Sequence, residues 1–440
     1  MTMDAVASGL TTEMYISATI LIASYVLIFS EIIHRTTSAM LGAVVMVGVG
    51  MLFGFYSQEQ ALLAIDANTI LLLTAMMMMI AILRPTGAFE YAAVRITKLA
   101  RGNPRTLLVY LTLAVSLISM ILDNVTTVII FAPLTMLITR LLRINPVPFL
   151  ISEAMLSNIG GAATLVGDPP NIMIASAGAI DFTRFLIHMG PPIALIWGAT
   201  VLLLLFLFRE QLASPARPDL EMDESKAIKD KTALVQALGA MTVIVVLFFV
   251  HHHIHLYPAY VALLGLVLGM ILARPHPEVL FGQVHWSVLF FFAGLFVIVG
   301  GVEHSGLLSL IGNQVAVMAR DPEMLLLTAL ALMWVSALLS AIVDNIPFTV
   351  AMVPIILGLE SQGVSITPLW WALAIGVGLG GNGTHIGATA NIIVVSEAEK
   401  SGQPDARITP KAWLAVGLPT MFTGLIIASA AYALFFDFFL

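Results

Sequence analysis

Long apolar runs dominate this sequence and limit what it can fold into. Eight runs contain few charges and approach the roughly 20 residues that an α-helix needs to cross the hydrocarbon of a bilayer. They lie at 13–33, 38–56, 67–83, 190–208, 232–250, 256–273, 287–303 and 412–436. With 59% hydrophobic and 10% charged residues, the chain has too little polar surface for a soluble domain. The sequence therefore predicts an all-α polytopic membrane protein and excludes a cytosolic enzyme or a nucleic-acid-binding protein.

Four further apolar stretches are interrupted by residues that disturb a regular helix. Two of them, 105–142 and 324–360, are about twice as long as a span and carry an Asp-Asn pair near the middle. A re-entrant hairpin places such a pair at a tip inside the protein, where irregular backbone is tolerated. The other two, 148–175 and 368–396, contain Gly, Pro and Asn and are predicted to be broken helices.

The distribution of basic residues supports two re-entrant hairpins. Counting ten spans and two hairpins places 17 of the 19 Lys and Arg residues, Arg35 among them, in cytoplasmic segments, and only Arg184 and Arg320 outside. Counting either hairpin as a crossing removes this bias. We therefore predict a multi-pass protein of the inner, cytoplasmic membrane of the cell, with both termini on the outer side.

The two halves of the chain share polar landmarks in constant register. The Asp123-Asn124 pair lies 221 residues before the Asp344-Asn345 pair, and a proline follows each aspartate after ten residues. The glycine-rich segments 160–164 and 380–384 are related by an offset of 220 residues. Apolar composition alone does not produce such a register, so we predict an internal repeat.

The repeat divides the chain into two units and a linker. The first unit covers 1–208, the charged cytoplasmic linker covers 209–231, and the second unit covers 232–440. Each unit has five spans, an odd number, so the second is inverted relative to the first. Amphipathic stretches at 86–100 and 305–320 precede the hairpins and are expected along opposite membrane surfaces.

An inverted repeat with interrupted helices is the architecture of secondary transporters. We predict that the two hairpin tips meet near mid-membrane, with Asn124 and Asn345 close to each other. The tips and breaks bring backbone groups and neutral side chains to the same place, where they can form a binding site. The candidate substrate-binding residues are Asn124, Thr127, Thr164, Asn171, Asn345, Thr349, Asn382, Thr384 and Asn391.

Ionisable residues in the same segments are candidates for proton coupling. Asp123 and Asp344 are intramembrane carboxylates, which are costly to bury unpaired, although capping of a helix is compatible with function. Asp168 and His385 have no ionisable counterpart in the other half. A turn role remains open for Asp168, as does a packing role for His385. Glu153, near the start of a broken helix, is expected at the membrane interface.

We expect neither a metal nor another cofactor. The chain has no cysteine, so it has no thiolate metal site. Four histidines cluster at 251–253 and 255, but closely spaced histidines alone do not define a coordination geometry.

The polar segments at 123–127, 160–171 and 380–384 resemble the arsenite permease and P-protein branch of the ion transporter superfamily. The resemblance covers nearly the whole chain and implies an elevator-type carrier and a homodimer. Some members of the branch also have a soluble ATPase partner. Dicarboxylate transporters of the superfamily carry Ser-Asn-Thr at the hairpin tips, where this chain has Asp-Asn.

The resemblance and the residues together favour efflux of arsenite or antimonite, coupled to proton antiport. Trivalent arsenic in neutral water is mainly an uncharged hydroxide, whose hydroxyl groups suit Asn, Thr and Asp side chains. Sodium/proton antiport, carriage of a dicarboxylate or another anion, and an anion channel remain alternatives. The expected partners are the small inorganic solute and membrane lipid, with no nucleic acid.

Overall fold

The computed structural model describes residues 10–30, 32–213, 227–319, 322–360, 362–401 and 406–440. These residues form α-helices and short 3-10 turns, and no β-strand occurs among them. Eight helices are long and apolar enough to cross a membrane. The predicted all-α polytopic fold is therefore confirmed. Most of the predicted linker and Arg320 lie outside the described residues.

The described residues of the first half form ten α-helices. They are α1 (Thr12–Ser30), α2 (Arg35–Phe53), α3 (Gln58–Leu63), α4 (Ala67–Leu83), α5 (Ala88–Leu99), α6 (Pro104–Ser119), α7 (Asn124–Leu142), α8 (Val147–Gly161), α9 (Pro169–Ala177) and α10 (Phe182–Leu207).

The second half repeats this order. Its helices are α11 (Lys231–Val250), α12 (Pro258–Ala273), α13 (Pro277–Gly282), α14 (Trp286–His304), α15 (Leu307–Ala319), α16 (Pro322–Ile342), α17 (Asn345–Glu360), α18 (Thr367–Gly380), α19 (Thr389–Lys400) and α20 (Pro410–Leu434).

Each predicted span overlaps one of these helices, and α4 has the predicted bounds. The span predicted from 190 begins earlier, because Asp181 caps α10 by accepting a hydrogen bond from the backbone N–H of Arg184 at 2.9 Å. The two predicted amphipathic stretches are separate helices, α5 and α15. Each follows a glycine at positive φ, Gly87 at 87° and Gly306 at 85°, a conformation that glycine adopts without steric cost.

The predicted interruptions are present in both halves. Residues 120–123 separate α6 from α7, and 343–344 separate α16 from α17. The non-helical segments 162–168 and 381–388, here called the first and second breaks, divide α8 from α9 and α18 from α19.

The two halves also make the same helix contacts around these interruptions. The Ser119 hydroxyl donates to the carbonyl of Ser157 at 2.8 Å, and the Ser340 hydroxyl donates to the carbonyl of Val377 at 3.1 Å. These pairs occupy matching positions in the repeat. The α6–α8 and α16–α18 packings are therefore equivalent, as the internal repeat predicts.

Candidate functional site

An asparagine cluster joins the first hairpin tip to α8, the second break and α19. The side-chain amide of Asn158, on α8, donates to Asn382 Oδ1 at 2.9 Å and to Asn391 Oδ1 at 3.0 Å. Asn158 Oδ1 in turn accepts from the amide of Asn124 at 3.0 Å. All four side chains are buried. Predicted residues that are far apart in sequence therefore share one hydrogen-bond network.

Sequence reasoning missed Asn158, which connects the other three. Its counterpart at the matching repeat position is Gly378, so the repeat did not mark it. The available signal was a lone asparagine in an apolar helix, two residues before the Gly160-Gly161 pair.

Three carboxylates converge beside the cluster. The amide of Asn345 lies 3.2 and 3.4 Å from the two carboxylate oxygens of Asp168, and Asn124 interacts with the same carboxylate. Asp123 and Asp344 are close enough to Asp168 for their charges to interact. The exposed fractions of Asp123, Asp168 and Asp344 are only 4%, 1% and 8%. The two hairpin tips therefore meet at Asp168, as their predicted proximity requires.

The three aspartates have different local bonds. Asp123 caps α7 by accepting from the backbone N–H and the hydroxyl of Thr126. Asp344 accepts from the backbone N–H of Ile346 at 3.2 Å and from the hydroxyl of Thr389 at 3.0 Å. Asp168 precedes α9 but its side chain makes no capping bond there. Its carboxylate instead accepts from the amide of Asn345, so a residue of the first break contacts the tip of the second hairpin.

Arg35 is the cation beside these carboxylates. Its guanidinium donates to the Thr389 hydroxyl at 3.1 Å and lies 3.6 Å from Asp344 Oδ2. It also lies over the ring of Phe291, 5.5 Å from the centroid. The positive-inside count treated Arg35 as a cytoplasmic topology marker and gave it no site role. The structure places it against the second hairpin tip, at the N-terminus of α2.

Several predicted ligands use their donors on the protein backbone. The amide of Asn171 donates to the carbonyls of Gly161, the last residue of α8, at 3.1 Å and Thr164 at 2.8 Å. The amide of Asn391 donates to two carbonyls of the second break, at 2.7 and 2.9 Å. Thr164 and Thr384 donate to carbonyls at the ends of α6 and α16. Thr349 donates to the carbonyl of Asn345 at 2.8 Å. These side chains hold the tips and breaks in shape.

Other polar atoms at the site have no protein partner among the described residues. They are Asn124 Oδ1, Asn382 Nδ2 and Thr127 Oγ1, all buried. An unpaired polar atom in a buried site is costly, so these atoms are suited to a solute or a water molecule. A cavity of about 20 Å³, lined in part by Arg35 and Asp123, has room for one water-sized group.

Neither His385 nor His251 forms one of these hydrogen bonds in the described part of the chain. His385 is partly exposed in the second break. His251 accepts from the backbone N–H of Phe182 at 3.3 Å and bonds the carbonyl of Leu256 at 2.7 Å, so both ring nitrogens have partners. No group of three or more His, Cys, Asp or Glu in the described part of the chain is arranged to hold a metal.

Comparison with known proteins gives the wider context. The citrate transporter family (CitMHS) matches residues 25–376. The chain is 38% identical over 402 residues to a 46 kDa membrane protein of Mycobacterium leprae, covering 88% of this chain and 92% of the relative. It is 37% identical over 398 residues to an uncharacterised transporter of Mycobacterium tuberculosis, covering 88% and 91%.

More distant similarities agree with these. The P protein of Homo sapiens is 32% identical over 473 residues, which cover 89% of this chain and 56% of that protein. The crystal structure of the YdaH transporter of Alcanivorax borkumensis superposes with a TM-score of 0.61 at 15% identity, covering 97% of this chain and 99% of the other. The resemblance to P proteins is confirmed, and the resemblance to arsenite permeases stays a prediction.

Proposed function

We propose that this chain, which belongs to the citrate transporter family, is a proton-coupled carrier that exports a small inorganic solute. Its relatives are transporters, and the chain is a membrane transporter rather than an enzyme. The proposal concerns what it carries and which ion drives it.

The observation that carries the proposal is the environment of Asp168. This carboxylate is 1% exposed, bonds the amide of Asn345 and lies near the carboxylates of Asp123 and Asp344. Three neighbouring carboxylates in a buried site repel one another when all are ionised. A bound proton relieves that repulsion. When the proton leaves, Asp168 can accept a hydrogen bond from a solute hydroxyl. Alternate occupancy by proton and solute gives antiport.

Arsenite or antimonite is the solute we propose. Asn124 Oδ1 and Thr127 Oγ1 can accept hydrogen bonds from a hydroxyl, and Asn382 Nδ2 can donate one. A neutral, compact trihydroxide can bind to these three atoms without bringing further negative charge close to the carboxylates. Because the chain has no cysteine, the site would recognise the solute by hydrogen bonds to its hydroxyl groups and not by arsenic–sulfur bonds.

A carboxylate anion is the second candidate, and Arg35 favours it. A guanidinium is suited to bidentate recognition of a carboxylate, and this one lies at the edge of the site. The name of the matching family is consistent with an organic acid. The three aspartates disfavour this candidate, because an anion would enter their repulsive field.

The membrane arrangement also remains part of the proposal. We place the chain in the inner membrane as a homodimer with both termini outside. Both hairpins would be re-entrant, and the hairpins and breaks would move as an elevator against a scaffold. The coupled ion supplies the energy, so the cycle needs no soluble ATPase partner.

Everted membrane vesicles test solute and coupling together. With an acidic interior, we expect the wild-type chain to accumulate arsenite and antimonite, because protons leave as solute enters. Asp168→Asn should abolish this accumulation and leave solute exchange without a gradient partly intact. Gradient-driven transport of citrate alone would replace the proposal by the second candidate. Gradient-driven sodium accumulation would show a sodium/proton antiporter instead.

A further inference from the structure

Glu153 is a fully buried carboxyl group outside the central site. It lies in α8 with 0% exposure, although its sequence position indicated the membrane interface. The side chain is buried because α7 packs against α8 and covers it, and its position at the membrane interface stays a prediction. One carboxyl oxygen bonds the hydroxyl of Thr135 on α7, and the other, Oε2, has no partner among the described residues.

Among the described residues, no charge near Glu153 compensates an ionised carboxylate. The helices packed against α8 are α6, α7, α10, α18 and α19. Their charged or titratable groups, with the cap of α7, are Arg105 and Tyr110 on α6, Asp123 and Arg140 on α7, Arg184 and His188 on α10, and Glu397, Glu399 and Lys400 on α19, with none on α18. None of these has an electrostatic interaction with Glu153 in the described part of the chain.

Packing alone does not explain a carboxyl group at this position. The matching residue of the second half is Leu373, which is also fully buried. An apolar side chain therefore fills the equivalent place in the same architecture. Ionisable residues inside membrane proteins are expensive and mark ion or proton pathways.

We propose that Glu153 is a second proton-binding site, separate from the three central aspartates. A lone carboxylate with one hydroxyl neighbour lacks the six to eight oxygen ligands of a calcium site, and it offers no cation cage. The ligand that this group can bind alone is a proton from water, which converts the carboxylate to a carboxylic acid and returns to water on release.

The position of Glu153 connects this proton to the moving parts. α7 begins at the first hairpin tip, and α8 ends at the first break. Ser157, one turn after Glu153, donates to the carbonyl of Asn124 at 3.3 Å. Loss of the proton leaves an uncompensated charge between the two helices, which favours entry of water and separation of α7 from α8. Protonation therefore favours the packed arrangement seen here. This role in the cycle rests on the proposed proton coupling, whereas proton binding itself does not.

Infrared difference spectroscopy of the full-length protein in lipid bilayers tests the proton site without any solute. On stepping from acidic to alkaline pH, we expect the wild type to lose a protonated-carboxyl band that is missing from Glu153→Gln at every pH. Thr135→Val should shift this band and not remove it, because the carboxyl group loses its hydroxyl partner. An identical carboxyl difference spectrum in wild type and Glu153→Gln would overturn the proposal.

Two control variants distinguish the possible causes of a changed spectrum. One tests for a general structural defect, and the other tests whether the signal comes from the central site instead of Glu153. Thr139→Val removes a hydroxyl on α7 that bonds only carbonyls of its own helix, so its spectrum should match the wild type. Asp168→Asn should leave the Glu153 band in place. If the band titrates but Asp168→Asn does not alter coupling, Glu153 binds a proton and the proposed role of Asp168 is wrong. A spectrum in which Asp168→Asn removes the band and Glu153→Gln does not would assign the proton to the central site.

Discussion

The guanidinium of Arg35 lies 3.6 Å from the carboxylate of Asp344 and joins two parts of the molecule. Arg35 begins α2, which packs against α1 and α14. Asp344 lies at the second hairpin tip, immediately before α17. Thr389, the first residue of α19, contacts both side chains. If the hairpins and breaks move against the first helices, this contact must break and re-form in each cycle.

We expect Arg35→Gln to lower the initial transport rate by at least about tenfold, because a charged interaction of about 1.5–3 kcal/mol is lost at the hairpin tip. Arg35→Lys should recover part of the rate, since it keeps the charge and loses the planar fork. Initial rates in vesicles with equal amounts of carrier provide the measurement. Equal rates in all three proteins would remove Arg35 from the transport cycle.

Asn158 should contribute strongly to stability. In Asn158→Ala, the side chains of Asn124, Asn382 and Asn391 each lose a buried partner, at a cost of about 1–3 kcal/mol for each unsatisfied group. We expect a clear fall in the melting temperature of the detergent-solubilised protein. Asn103→Ala is the control, because it removes an exposed helix cap worth about 1 kcal/mol. A smaller fall for Asn158→Ala than for this control would contradict the network.

The helices could be predicted from the sequence because the residue patterns that determine them are local. Apolar runs, prolines and the Asp-Asn pairs act within one or two turns, so the spans and interruptions agree with the observed helices. The internal register also predicted that the two tips approach each other. The position of Asp168 in a break was also visible in the sequence, whereas its contact with Asn345 was not predicted.

The missed residues depend on tertiary contacts that no local pattern encodes. Asn158 is an isolated amide whose partners lie 34 to 233 residues away. Arg35 looked like a topology marker because the positive-inside rule reads position and not partners. Glu153 was expected at the membrane interface because it is near a helix end, and its burial within the protein depends on the helices that pack against α8.

Two matched glycines should be intolerant of a side chain. An ideal Cβ on Gly160 would lie 2.5 Å from the carbonyl oxygen of Ser116, and one on Gly380 would lie 2.4 Å from that of Ala337. Alanine at Gly160 therefore pushes α6 away from α8, and alanine at Gly380 pushes α16 away from α18. Overpacking of this kind lowers the free energy of unfolding by about 1–3 kcal/mol. We expect a lower melting temperature for both variants.

Gly198→Ala is the matched control for these glycines. It lies within α10, and an added Cβ would meet nothing within 4 Å. Alanine should be neutral or stabilise the helix by about 0.5–1 kcal/mol. Equal effects at all three positions would show that backbone approach does not limit the packing of the two halves.

The last prediction concerns the path of the first hairpin through the membrane. The chain has no cysteine, so single cysteines can be introduced without a background. Asn103 precedes α6, Asn145 follows α7, and Ser57 precedes α3. A re-entrant hairpin places Asn103→Cys and Asn145→Cys on one face, and the charge distribution makes that face cytoplasmic. Ser57→Cys should lie on the opposite face. A membrane-impermeant maleimide should therefore label the first two in everted vesicles and the third in intact cells with a permeabilised outer barrier. Labelling of Asn103→Cys and Asn145→Cys from opposite faces would establish a full crossing. That result would also reverse the predicted orientation of every span after the first hairpin.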